Sequence, residues 1–383
     1  MNKKILIATG IYPPDIGGPA TILKSLISSL EKKNFDIKLI TYSGSNKESD
    51  DSNNIFRINR NKFLNQIKYF LAMYKLAKWA DVVYVTDTYS VGYFAYLIKK
   101  LTGKRYLVRF VGDSAWETAV GNNWTTDYII DFQKKKYNSK IERLKSRRQK
   151  ILLNADKVIT VSNFITSVAK LIGVKNENIK LIYNSIDFVD EGSAVEVEKI
   201  RKEFGDAKII STACRLTSWK GVDGIIKTIK NLKEKVGDVA FIVLGDGPEM
   251  NSLKQLARDE GVDGQVRFLG RVDHNRIVNY FKASDLFILN TNYEGLSHTL
   301  LEVMKAKAPI IATTSGGNPE VIEDNKNGLL VSYNNTDELL LASIKILTDN
   351  ELTNKFVENS SEKLKYFDWD NVISETSKVL SDL

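Results

Sequence analysis

One cysteine, Cys214, occurs in 383 residues, so no intramolecular disulfide can staple the chain, and a reducing, cytoplasmic setting is expected. Cys214 sits in an apolar strand pattern and reads as an inert core residue. Long hydrophobic runs are also missing, and nothing approaches the ~20 apolar residues of a membrane-crossing helix. After Lys4 the first apolar run is cut short by Gly10 and Tyr12-Pro13-Pro14, so it reads as a first strand rather than a leader. The turn after it lacks G-x-G-x-x-G, which excludes the dinucleotide fingerprint. Neither internal repeats nor low-complexity segments are present.

The composition is that of a globular enzyme, 43% apolar and 27% charged, and the length suits two domains. Lys4–Thr9, a Gly-rich turn and a helical pattern over 20–33 open a doubly wound unit. Strand patterns follow at Phe35–Thr41, Val82–Asp87, Arg105–Val111, Val158–Val161 and Ile179–Ile182, with helical spacing near 63–80, 90–102, 125–154 and 163–172. After Asn184-Ser185-Ile186-Asp187 a polar stretch to Glu203 reads as a connector. The alternation then restarts, with strands at Lys208–Ala213, Val239–Leu244, Val266–Leu269, Leu286–Leu289 and Pro309–Thr313, and helices near 220–236, 249–260, 274–283, 298–306 and 335–348. Two such arrays imply an α/β protein of two parallel-sheet domains, 1–187 and 188–365, with a short amphipathic helix at the end.

Charge is unevenly divided. Residues 1–187 carry 31 Lys+Arg against 16 Asp+Glu, and residues 188–383 carry 24 against 31. Lys134 to Lys150 alone holds nine basic residues and one acidic, Glu142. A basic half suggests an anionic partner. The segment reads either as a solvated face on a core helix or as a dock for an anionic membrane surface, with Trp116, Trp124, Tyr128 and Phe132 available to insert. No nucleic-acid module is recognisable.

The densest chemistry lies in Thr291-Asn292-Tyr293-Glu294-Gly295-Leu296-Ser297-His298-Thr299-Leu300-Leu301-Glu302. It joins a buried strand pattern to a helical one through a polar turn, with Ser297 at the N-cap position. Free N–H groups and the helix dipole favour an anion there. Glu294 precedes the helix and Glu302 lies about 7.5 Å beyond the cap along its axis, so a phosphate at the helix end would be flanked by two hydroxyl-accepting carboxylates. Other strand ends carry Arg215 and Lys220-Gly221, Gly245-Asp246-Gly247-Pro248, Phe268-Leu269-Gly270 and Gly316-Gly317-Asn318-Pro319-Glu320, all at the edge where such sheets bind ligands.

As a set these residues, from Ile209 to Val331, resemble the nucleotide-binding domain of the family-four retaining glycosyltransferases. In the first half Tyr12-Pro13-Pro14…Gly17-Gly18, Ala155-Asp156…Val161-Ser162 and Asn184…Asp187 look like that family's first domain. The resemblance implies the GT-B fold, two Rossmann-like domains facing a cleft, with a terminal helix (366–383) crossing back to the first. It implies transfer of a sugar from a nucleoside-diphosphate sugar, UDP favoured over GDP, to an acceptor hydroxyl by same-face attack with retention. Arg215 and Lys220 would neutralise the leaving diphosphate. Glu294 would hold the transferred sugar, and Glu302 the ribose. Gly295, Leu296, Ser297 and His298 would lie near sugar and phosphate, with Gly245 and Gly247 lining the donor site. Leu269 would meet the base, and Gly17 and Gly18 would approach the phosphate from the first domain.

Two departures from the family pattern stand out. The chain's histidines are His274 and His298, neither of them in the first domain where relatives often carry one. Asp113 inherits the acceptor-side role, or else is simply an N-cap. Lys307 stands where glycine is common. Asp368-Trp369-Asp370 spells a metal-binding D-x-D but reads better as a helix start, so no metal or cofactor is expected. The expected partners are a nucleotide sugar and a lipid-linked or cell-envelope acceptor at the inner face of a membrane. A sugar-nucleotide epimerase or hydrolase, a phosphorylase and a non-catalytic nucleotide-sugar-binding protein are the alternative readings.

Overall fold

The computed structural model describes residues 2–14, 18–44, 54–60, 64–186 and 192–383. The chain divides into two compact units, Met1–Asp187 with Trp369–Leu383, and Phe188–Asp368.

The first unit is built on β1 (Lys3–Ala8), β2 (Phe35–Ser43), β3 (Ile55–Asn59), β4 (Val82–Val85), β5 (Tyr106–Phe110), β6 (Lys157–Thr160) and β7 (Ile179–Leu181). They form one sheet in the order β3-β2-β1-β4-β5-β6-β7, every pairing parallel. Every residue of β4 and β5 is buried, as expected where helices cover both faces of a parallel sheet. One side of the core joins Ile5, Ile7, Leu39 and Tyr84 to Leu23, Leu26 and Leu30 of the helix Gly18–Lys32 and to Val372, Ile373 and Leu380 of the last helix, Trp369–Asp382. The end of the chain therefore completes the core of the unit that contains its beginning.

The second unit carries β8 (Lys208–Ala213), β9 (Val239–Leu244), β10 (Val266–Gly270), β11 (Leu286–Leu289), β12 (Ile310–Thr313) and β13 (Leu329–Val331). Their order is β10-β9-β8-β11-β12-β13, again all parallel. The chain leaves β8 toward β9 on one side and later returns to β11 on the other, so the switch point of this sheet lies between β8 and β11. That is where the loops carrying Lys220 and Glu294 emerge.

Several local expectations change. Residues 188–203 are not only a connector, because Ala194–Phe204 is a helix capped by Ser193. The single helix expected over 125–154 is two, Ile129–Lys134 and Ser139–Leu153, the second capped by the Asn138 side chain. Strands β3 and β13 and the helices Ser114–Gly121 and Asn350–Leu364 had no counterpart in the sequence pattern. Among the described residues, no helix is long and apolar enough to cross a membrane.

Candidate active site

The loop after β8 ends in the short turn Ser218–Lys220, and Gly221 follows at φ 60°. A Cβ on Gly221 would lie 2.0 Å from the Asn290 carbonyl oxygen, so only glycine permits the loops after β8 and β11 to touch. Asn290 stitches them: its Nδ2 donates to the Gly221 carbonyl at 2.7 Å and to Asn334 Oδ1 at 2.9 Å. The Asn334 amide donates to Asp223 at 2.9 Å. Asn292 N–H and Tyr333 O–H donate to the Trp219 and Ser218 carbonyls at 2.8 and 3.0 Å. These bonds fix the turn that carries Lys220, and its ammonium is ion-paired with Glu294. Both side chains of the pair are largely enclosed, 14% and 19% exposed, which strengthens the attraction relative to a surface pair.

Glu294 is held from behind by the loop after β12. Gly316 stands at φ 63°, and a Cβ there would sit 2.3 Å from the Glu294 carbonyl oxygen. Gly317 N–H donates to that same oxygen at 2.9 Å, and a Cβ on Gly317 would strike the Gly295 carbonyl at 2.2 Å. The two glycines thus allow two backbone strands of loop to lie in contact. Gly295, Leu296 and Ser297 are buried, and the Ser297 hydroxyl accepts from Leu300 N–H at 3.3 Å, capping the helix His298–Lys305. His298 is the first residue of that helix.

Glu302 lies one turn further on. Its carboxyl has no hydrogen-bond or ion-pair partner among the described residues, and burial pushes its pKa from 4.5 up to about 7. Arg215, in contrast, is exposed and forms no ion pair with a described residue. The neighbouring Cys214 thiol is pushed up to about 11, mainly by burial.

Gly245 and Gly247 also answer to close approach: added Cβ atoms would lie 1.9 and 2.2 Å from the Cys214 and Leu216 carbonyl oxygens. The β9–β10 ladder slips between Phe268 and Gly270. That irregularity releases Leu269 from the register, and it stands 38% exposed at the strand end. Lys307 takes φ 61°, so it adopts the left-handed helix-ending conformation that glycine enters freely. The second unit thus brings Arg215, Lys220, Gly245, Gly247, Leu269, Glu294, Gly295, Leu296, Ser297, His298 and Glu302 to the C-terminal edge of one sheet. Asn290 and Asn334 were missed, although a polar residue closing the apolar run Leu286–Leu289 was a signal.

In the first unit Gly17 lies outside the described residues and Gly18 opens the helix Gly18–Lys32. Asp113 needs a correction. It is fully buried, and its Oδ1 accepts from Ala115 and Trp116 N–H at 3.0 and 3.4 Å. Its Oδ2 is ion-paired with buried Arg148 and accepts from Gln133 at 2.8 Å. Both oxygens are committed to the fold, so the N-cap alternative describes this residue and the acceptor-side role does not.

The basic segment is also partly internal. Lys145 donates to the Phe132 and Lys135 carbonyls, Arg148 is buried, and Lys135 pairs with Asp127. Trp116 and Phe132 are core residues, 1% and 0% exposed, and neither is available for insertion into a membrane. Among the described residues, no cluster of three His, Cys, Asp or Glu side chains could hold a metal ion.

Comparison with known proteins bears on the family and the fold. Residues 196–363 match the glycosyl transferases group 1 family and residues 16–189 the glycosyltransferase family 4. An uncharacterized glycosyltransferase of Methanocaldococcus jannaschii is 28% identical over 99% of this chain and 98% of its own. The N-acetyl-alpha-D-glucosaminyl L-malate synthase of Bacillus anthracis is 24% identical over 99% and 97%. Among solved structures, Anabaena HepE in complex with UDP-glucose aligns over 99% of this chain and 100% of its own, with a TM-score of 0.78 at 18% identity.

Proposed function

Since the chain belongs to the family-four glycosyltransferases, enzymes of the GT-B fold that use nucleotide-sugar donors, we propose that it transfers a hexose from a UDP-sugar to an acceptor hydroxyl with retention. The observation that carries this reading is the enclosed Lys220–Glu294 pair beside the Ser297-capped helix end, at the switch point of the second sheet.

The chemistry follows from charge placement. The donor diphosphate lies at the helix N-terminus, where free N–H groups and the dipole favour it. Lys220 and Arg215 neutralise the negative charge that grows as the glycosidic bond breaks. Because Glu294 already fixes the ammonium, little reorganisation is needed at that moment. Glu294 also accepts from hydroxyls of the transferred sugar, and Glu302 from the ribose. Leu269 offers the base an apolar face. The acceptor oxygen attacks the same face that the diphosphate leaves, and a departing phosphate oxygen takes the acceptor proton. No protein nucleophile and no metal enters this scheme. UDP is favoured over GDP by the HepE complex with UDP-glucose.

The acceptor we favour is a lipid-linked or cell-envelope glycan met at an anionic membrane surface. Lys134, Lys136, Arg143 and Lys150 support that reading, being exposed and without an ion pair among the described residues.

Calorimetric titration of the full chain with UDP, GDP and ADP is the test, since a ligand at a hundred times its Kd stabilises a fold by about 2.7 kcal/mol. UDP is expected to bind most tightly, with Arg215→Ala weakening it. If none of the three binds, or if UDP binds equally well without Arg215 and Glu302, the donor site has been misplaced.

A further inference from the structure

Within the first unit a cavity of about 270 Å³ opens beside the C-terminal ends of β4 and β5. It is lined by Gln66, Thr88, Ser90, Ser114, Thr118 and Arg147, among others. Arg147 supplies the cation in this set. Its guanidinium lies over the Tyr93 ring, 4.5 Å from the centroid, so the ring holds one face and leaves the N–H edge to a ligand. Its Nε is buried and has no hydrogen-bond partner, an unmet donor in a place water barely reaches.

Asp87, whose charge interacts with Arg147, does not pair with it. The Asp87 carboxylate accepts from the backbone N–H groups of Tyr89, Gly92 and Gly10, the first at 2.9 Å. Three N–H donors therefore hold the Asp87 carboxylate, which acts on Arg147 through space without an ion pair, and Glu117 accepts from the O–H of Tyr89, another lining residue, at 3.3 Å. Hydroxyls line the cavity: Thr88 Oγ1 and Ser114 Oγ lie 2.7 Å apart at its wall. Ser90 begins the thirteen-residue helix Ser90–Thr102, whose dipole adds positive potential at this end.

We propose that this cavity is the acceptor subsite and that it selects an acceptor bearing a phosphate or carboxylate group, gripped by Arg147. The assignment rests on the transferase reading above and adds the chemical class of the acceptor to it. A volume of 270 Å³ falls just short of a drug-sized pocket, so it encloses a small anionic portion of the acceptor and leaves the rest of that molecule outside. The anion fixes the acceptor's orientation, and the neighbouring hydroxyls choose among its oxygens.

Inorganic phosphate titrated calorimetrically into the full chain carrying Arg215→Met reads this subsite with the exposed donor-side cation removed. Arg147→Met in that background is expected to weaken phosphate at least tenfold. Gln66 is exposed on the helix Asn65–Trp79, so changing its charge leaves the fold intact. Gln66→Glu is expected to weaken phosphate several-fold and Gln66→Lys to tighten it.

Phosphate affinity indifferent to both positions, or no phosphate binding at all, overturns the assignment. Displacement by farnesyl phosphate at concentrations tenfold below those needed with glycerol 3-phosphate identifies a lipid-linked source for the anion. The opposite order identifies a soluble one. Glu294→Gln separates this subsite from the donor reading, because it should abolish transfer while leaving the loss of phosphate affinity on Arg147→Met in place.

Discussion

Glu302 offers the sharpest quantitative test, because one carboxyl controls both a stability and an affinity. Its pKa stands at about 7 in the folded chain against an ordinary 4.5, with desolvation as the cause. A raised carboxylate pKa means that the folded state holds the proton more tightly than the unfolded one. The group therefore costs nothing below pH 4.5, costs progressively more as pH rises, and reaches its full cost above pH 7. At 1.36 kcal/mol per pH unit the ceiling is about 3 kcal/mol, lowered by whatever solvent reaches the carboxyl. Glu302→Gln is isosteric and cannot ionise. It should raise stability by up to about 3 kcal/mol at pH 8 and by almost nothing at pH 4.5, read from urea unfolding at the two pH values.

The same group should make nucleotide binding depend on pH in the opposite sense. An ionised carboxylate accepts from two ribose hydroxyls, whereas a protonated one must spend an oxygen on its own O–H. With a pKa of about 7, roughly ten times more of the chain is ionised at pH 8 than at pH 6. UDP affinity in the wild type, divided by that of Glu302→Gln to cancel the titration of UDP itself, should rise about tenfold across this range. A ratio that stays flat from pH 6 to 8 while Glu302→Gln still stabilises the fold would leave the desolvated carboxyl real but its ribose contact wrong. A failure of both measurements refutes the reasoning entirely.

Two further substitutions test the scaffold around the site. Gly316→Ala must displace the Glu294 backbone, since its Cβ would fall 2.3 Å from that carbonyl oxygen at φ 63°. A loss of about 2 kcal/mol or more is expected, with kcat reduced more than tenfold, and wild-type turnover in this variant would refute the coupling between the loops. Asp113→Asn should keep the cap yet leave Arg148 charged and unpaired in the core, costing about 3–5 kcal/mol. Adding Arg148→Met should recover most of that loss, and kcat of the refolded enzyme should be unchanged. A catalytic Asp113 would instead lose turnover at constant stability.

What could be read from the sequence, and what could not, follows from how each element is stabilised. The strands β9, β11 and β12 are buried at every residue, so each appears as an uninterrupted apolar run of definite length. The edge strands β3 and β13 are short and only partly buried; β3 is interrupted by Arg57, and the apolar run of β13 is only Leu329-Leu330-Val331. The helix Ala194–Phe204 buries one residue, Ile200, and is otherwise marked by its Ser193 cap and exposed charges such as Lys202 and Glu198, which leaves little apolar period to detect. The break between Lys134 and Ser139 was hidden because Asn138 caps the second helix inside a stretch that is basic throughout. Asp113 was ambiguous for a related reason, since its partner Arg148 is 35 residues away.

The site itself was legible residue by residue but not as a geometry. Lys220 and Glu294 are separated by 74 positions, and nothing between them in the sequence says that they touch. Contact comes from topology: inserting β8 between β9 and β11 places the loop after β8 beside the loop after β11. Gly221 then removes the side chain that would hold the two apart, and Asn290 bonds across the gap. Gly316 and Gly317 repeat the device between the loops after β11 and β12. Where strand ends converge, these glycines mark places at which one loop's backbone must lie on another's, and the charged residues beside them are the ones the fold brings together. By that argument the glycines constrain the donor site as strictly as the ion pair does, and their alanine variants should fail first in turnover.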